Sequence, residues 1–161
     1  MAGRGPQWPD DDEHAAWINL VKVLLTLPGA LESQLLRDAD LTLLGYMILA
    51  RLSVLPDRTL QMSDIAVMAG GSLPRISHAV KRLEDRGWVV RTVRTGQGRR
   101  STVATLTEQG RQHLEAAAPA HVENVRRLVV EPLGADFLTV GAALERVVAA
   151  LGVSTAQLPP P

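Results

Sequence analysis

The sequence predicts a mostly α-helical fold with one small β-hairpin, and three features carry that prediction. Between Gln61 and Thr107, two short amphipathic segments flank Gly70-Gly71, and two alternating segments then flank a tip rich in Gly and Arg. Apolar residues recur at helical spacing on both sides of that stretch. Charge is spread unevenly. The 161 residues carry 17 basic and 17 acidic side chains, yet Gly70–Thr107 holds eight basic residues (Arg75, Lys81, Arg82, Arg86, Arg91, Arg94, Arg99, Arg100) against two acids, Glu84 and Asp85. That surplus of six in a formally neutral chain is the electrostatic footprint of a polyanion partner.

Residues 1–10 contain Gly and Pro without periodicity and are expected to be disordered. The acids Asp10 to Glu13 suit a helix start, where the backbone dipole favours negative charge. Ala16, Leu20, Val23, Leu24, Leu27, Leu31 and Leu35 then space a long helix to about Asp38, with a kink or interruption expected at Pro28-Gly29. Asp40-Leu41-Thr42 resembles a cap, and a second helix runs from Leu43 to about Leu55. Pro56 to Arg58 turns the chain, and Thr59 to Gln61 suit a short strand. Ser63 is the expected cap of a helix over 64–68, and Gly70-Gly71 turn the chain again. Ser72 is a good N-cap for a helix to about Arg86, with Pro74 in its first turn and Gly87 as its C-terminal stop. Strands are expected over 88–95 and 101–106. A long helix follows from Thr107-Glu108 to about Val130, bending at Pro119. Pro132 to Asp136 read as a break, and 137–151 as a last helix. The tail 152–161 is expected to be disordered.

Composition removes several function classes. Hydrophobic residues make up 46%, enough for a core, but aromatics are 3%, so Leu, Val, Ala and Ile must build it. There is no cysteine, which excludes disulfides, thiolate metal sites, cysteine nucleophiles and thiol redox sensing. The apolar runs read as short and broken by charge, so no membrane span is expected. The N-terminus lacks the apolar stretch of a secretory signal, and a cytoplasmic protein is expected.

The helix over 73–86 carries the chemistry. Ile76, Ala79, Val80 and Leu83 form one apolar stripe. With that stripe inward, Pro74, His78 and Lys81 point outward, flanked by Arg75, Ser77 and Arg82. A basic, polar outer face with acids only at its C-terminal end suits a helix whose N-terminal end enters a major groove. Arg75 is the candidate for bidentate contact with guanine, and Ser77 and His78 for base or phosphate contact. Lys81 and Arg82 are candidate phosphate contacts, which fix register but read no sequence. The Ser72 end offers open backbone N–H groups to a phosphate. In the hairpin, Trp88, Val90 and Thr92 alternate with Val89, Arg91 and Val93. Arg94, Arg99 and Arg100 flank a glycine tip able to reach a minor groove.

These residues resemble the MarR (multiple-antibiotic-resistance regulator) family of winged-helix transcription regulators over about residues 13–150. The resemblance lies in LTLLGYMILARLS, in MSDIAVMAGGSLPRISHAVKRLEDRGWVVR, and in RRSTVATLTEQGRQHLEAAAPAHVENVR. It implies a winged helix-turn-helix over 41–107, with helical segments 11–40 and 108–151 forming a dimerisation body. It implies a homodimer on palindromic double-stranded DNA, with Leu73, Pro74, Arg75, Ser77 and His78 on the groove face. One position departs from the pattern: Gly98 stands where the family commonly has Asp, an acid that helps hold the wing arginine in place.

The terminal helices carry more apolar surface than a wing module needs. Val140, Ala143, Leu144, Val147, Val148 and Leu151 form one stripe, and Leu20, Val23, Leu24 and Leu27 another, so association through these faces is expected. Many relatives respond to a small aromatic or phenolic ligand between body and DNA lobe, a space that His14, Trp17, Tyr46, Met47 and Arg51 are candidates to line. His113 and His121 lack an acid–His zinc pattern, so no metal and no cofactor are expected. The expected function is a ligand-modulated transcriptional regulator, a repressor in the first instance. The alternative is a winged-helix module that binds protein and no DNA. No nucleophile elbow and no phosphate loop opening a helix support an enzyme.

Overall fold

Asp10 opens the first helix, α1 (Asp11–Ala39), through a reciprocal cap. Its carboxylate accepts from the Glu13 backbone N–H at 2.9 Å, and the Glu13 carboxylate accepts from the Asp10 N–H at 3.3 Å. The computed structural model describes residues 10–96 and 99–152, without the Arg99 side chain. The expectations for residues 1–9, for the wing tip at 97–98 and for the tail from 153 lie outside the described residues. Pro28 does not interrupt α1, which runs for 29 residues until Asp40 adopts a left-handed conformation (φ 53°). By length and composition alone α1 is also long and apolar enough to cross a membrane, with a mean hydropathy of 1.3 over its best window. The short apolar runs noted in the sequence join into this one helix, since Lys22 is the only charge between Glu13 and Glu32.

Thr42 caps α2 (Leu43–Ser53), its hydroxyl accepting from the Gly45 N–H at 3.0 Å. Strand β1 (Thr59–Gln61) leads directly into α3 (Met62–Met68), which starts before the expected Ser63 cap. Gln61 holds the cap position, and no side chain bonds there. The Gly70-Gly71 turn leads to α4 (Leu73–Asp85), and Gly87 at φ +73° ends it as expected. Strands β2 (Val89–Gly96) and β3 (Arg99–Leu106) pair antiparallel with Arg91 opposite Ala104 and Arg94 opposite Ser101. Strand β1 adds to the other edge of β3, so the sheet order is β1-β3-β2.

Thr107 caps α5 (Glu108–Val125) by accepting from the Gly110 N–H, while its hydroxyl donates to the Gly87 carbonyl at 2.7 Å. The expected helix to Val130 changes pitch. Arg126–Val130 form a π-helical turn, α6 (Glu131–Leu133) a single turn, and Gly134–Asp136 a 3₁₀ turn before α7 (Phe137–Ala150). Pro132 lies in that single turn, and the helical path breaks just after it, within the expected 132–136, where Gly134 adopts φ 51° and the 3₁₀ turn leads into α7.

The core gathers where α2, α3, α4, the sheet and the first half of α5 converge, around Leu35, Leu41, Ile48, Leu49, Leu52, Ile65, Ile76, Val80 and Val89. The N-terminal half of α1 and all of α7 stand outside it. No residue of α7 is buried, and Leu25 and Leu138 are 77% and 79% exposed.

Candidate nucleic-acid interface

Burial orients α4 as its stripe predicts. Ile76 and Val80 are fully buried and Leu83 nearly so, which turns the other faces to solvent. Ser72, Leu73, Pro74, Arg75, His78, Lys81 and Arg82 are exposed, and Ser77 is half-buried. Ser72 takes the N-cap backbone conformation, but its hydroxyl makes no capping bond, so the helix opens on solvent-facing amides. At about 100° per residue, Arg75 and Arg82 share one flank of α4 and Ser77 and Glu84 the other. The wing lies on the second flank, because Glu84 grips Arg91 of β2.

Internal ion pairs thin out the basic cluster. Lys81 Nζ donates to both Asp85 oxygens at 2.8 and 2.9 Å, an exposed pair one turn apart on the helix. Arg86 pairs with Asp40 and lies over the Trp88 ring at 5.9 Å. Arg91 pairs with Glu84. Arg75, Arg82, Arg94 and Arg100 carry no ion pair among the described residues. Arg82 lines a small cleft with Asp40, Thr42 and Trp88, toward the α1–α2 corner rather than straight outward. On the wing the strand register places Arg94 beside Ser101 on one face, and Arg100 beside Thr95 on the other.

A second feature lies behind this surface. A crevice of about 450 Å³ opens between α2, α5 and the π-helical turn, its walls including Tyr46, Met47, Leu114, Ala118, His121 and Val125. Of the residues named as candidate ligand contacts, Tyr46 and Met47 line it. His14 and Trp17 do not: they sit on the first turns of α1, exposed to solvent, and Arg51 also lies outside the lining. His121, to which the sequence assigned no role once a metal site was set aside, faces the crevice. Its ring lies 4.3 Å from that of Tyr46, and its Nδ1 donates to Gln34 Oε1 at 3.3 Å. Burial holds the His121 imidazole below its ordinary value and pushes the Tyr46 phenol up. The signal was present in the sequence, since Leu114, Ala117, His121 and Asn124 form one helical stripe. His113 serves the junction of lobe and body. Its Nε2 donates to the Ala39 carbonyl at 2.8 Å and its ring stacks on Trp88 at 3.9 Å.

Known proteins share this architecture. The MarR family model matches residues 39–101. Sco3205 from Streptomyces coelicolor, a MarR family transcriptional regulator crystallised in complex with DNA, is 33% identical, with 94% of each chain covered and a TM-score of 0.83. AbsC, a MarR family transcriptional regulator from the same organism, is 32% identical over 92% of this chain and 100% of its own, also at 0.83. CouR from Rhodococcus jostii RHA1, solved with p-coumaroyl-CoA bound, shares the fold at 21% identity and a TM-score of 0.70, over 92% of this chain and 96% of its own. No curated protein matches the sequence.

Proposed function

The chain belongs to the MarR family of winged-helix transcriptional regulators and is no enzyme; on that premise we propose that it acts as a homodimeric repressor on palindromic operator DNA in the cytoplasm. The observation that carries this reading is the open N-terminal end of α4, with Arg75 exposed, without an ion pair among the described residues, and beside uncapped amides. Arg75 reads guanine in the major groove, with Leu73, Pro74, Ser77 and His78 around it, and Ser72 amides and Arg82 hold phosphate. Arg94, Arg99 and Arg100 reach the flanking minor groove. The DNA complex of Sco3205 supports the mode of binding.

The crevice supports a small-molecule input, as the bound ligand of CouR does for that protein. Its apolar walls and the Tyr46–His121 pair suit an aromatic or phenolic ligand. Helix α2 forms one wall and also packs against α4, so an occupant that favours one placement of α2 shifts the reading helices.

The test is fluorescence anisotropy with the intergenic DNA upstream of its own gene at two salt concentrations. Tight binding that weakens steeply with salt is expected. Arg75→Ala should raise Kd by about 10- to 100-fold and relax the preference at one base pair per half-site. Unchanged affinity in that variant would remove Arg75 from the interface.

A further inference from the structure

Between Gly70 and Thr107 the sequence has only two acids, and Asp85 is taken by Lys81 on its own helix. The other, Glu84, makes the module's most connected contact. Its Oε1 accepts from the Arg91 backbone N–H at 3.1 Å, and its Oε2 accepts from Arg91 Nε at 2.8 Å and from an Nη at 2.5 Å. Three bonds from one carboxylate tie the C-terminal end of the reading helix to both backbone and side chain of the first wing strand. The two side chains are 32% and 27% exposed, so this pair is shielded more than an ordinary surface ion pair and is geometrically specified. Its strong bonds to Arg91 hold the Glu84 carboxyl below the usual carboxylate range.

We propose that Glu84 is the positioning residue of the wing, fixing from the base the groove approach that the Gly98 tip has no acid to fix. Arg91 is then the anchor and not a DNA contact. Register supports this role, because Arg91 and Arg100 lie on the same face of the hairpin. Arg94 lies three residues from the anchor, about 10 Å along the strand, so a tilt of roughly 10° at Arg91 moves it by roughly 2 Å. A displacement of that size exceeds the tolerance of a groove contact.

The inference rests on the DNA-binding reading, and its test separates the two. Kd is measured for the full chain against the tightest duplex selected from a random pool, using wild type, Glu84→Gln, Arg94→Ala/Arg99→Ala/Arg100→Ala, and the four changes combined. Glu84→Gln keeps an oxygen able to accept the Arg91 N–H and removes the charge. It should weaken binding roughly tenfold in the wild-type background, the low end for one lost groove contact. It should have no effect once all three wing arginines are gone. The charge swap Glu84→Arg/Arg91→Glu should restore part of the loss, and trypsin should cut at Arg94 several-fold faster in free Glu84→Gln. Equal losses in both backgrounds, or no loss and no change in cleavage, would overturn the positioning role while leaving DNA binding intact. A wild type that selects no duplex would sink both readings.

Discussion

A single carboxylate and a single hydrogen atom illustrate how much one residue decides here. Glu84 reads in sequence only as one of two acids ending a basic helix. Only the approach of β2 makes it an anchor. Gly110 is the clearer case of sterics. It lies inside α5, where alanine is the better helix former by about 1 kcal/mol. A Cβ there would stand 2.1 Å from the Trp88 carbonyl oxygen and 2.9 Å from Leu106 Cδ1. The carbonyl belongs to backbone and cannot swing aside, so the clash outweighs the propensity gain. Gly110→Ala should cost about 3 kcal/mol or more, lowering Tm by roughly 6–12 °C in a chain of this size. A thermal melt no lower than wild type would show that α5 can slide away from the sheet.

At the scale of elements, α5 joins the lobe to the body and carries the pH dependence. His121 packs against Tyr46 and Gln34, and its folded value lies below the ordinary 6.5. Above that pH both folded and unfolded forms are neutral and nothing is gained or lost. Below it the unfolded chain takes up a proton that the folded chain resists, so stability falls as pH drops through about 6.5. Glu108, held down to about 2 by Arg111 and Arg58, contributes stability above its ordinary 4.5 and loses it between there and about 2. Because Glu108 is exposed, the first limb should dominate. Melting temperature should therefore begin to fall near pH 6.5, and His121→Leu should flatten that limb. An unchanged slope in the variant would assign the effect to another group. Most element boundaries were legible, because caps and stripes are local. The π-helical turn was not, because a change of pitch follows from packing rather than from residue type.

In the whole molecule, apolar surface lies where one chain does not cover it. Trp17 is 51% exposed, Leu25 77% and Leu138 79% on the two terminal helices, and Leu151, just past the end of α7, is 71% exposed. Water contact over such faces is costly, and a two-fold partner is the economical cover. The protein should sediment as a dimer. Leu144→Glu with Val147→Glu should shift it to monomer and weaken palindrome binding by about 100-fold or more, since the second half-site then binds without the linkage. A monomeric wild type, or a variant that stays dimeric, would place the association surface elsewhere.

The sequence by itself determined the helix-turn-helix, the hairpin, the buried stripe of α4 and the basic character of its outer face. These depend on periodicity, caps and turn residues that act within a few positions of one another. Tertiary structure alone decided which cations remain unpaired. Arg86 meets Asp40 and Arg91 meets Glu84 only once distant or turned segments pack together. It also decided that Tyr46 and Met47 share a crevice with His121 while His14 and Trp17 stand apart from it. Charge and apolarity are properties of residues, but pairing and enclosure are properties of neighbours, and neighbours far apart in the chain are set by the fold.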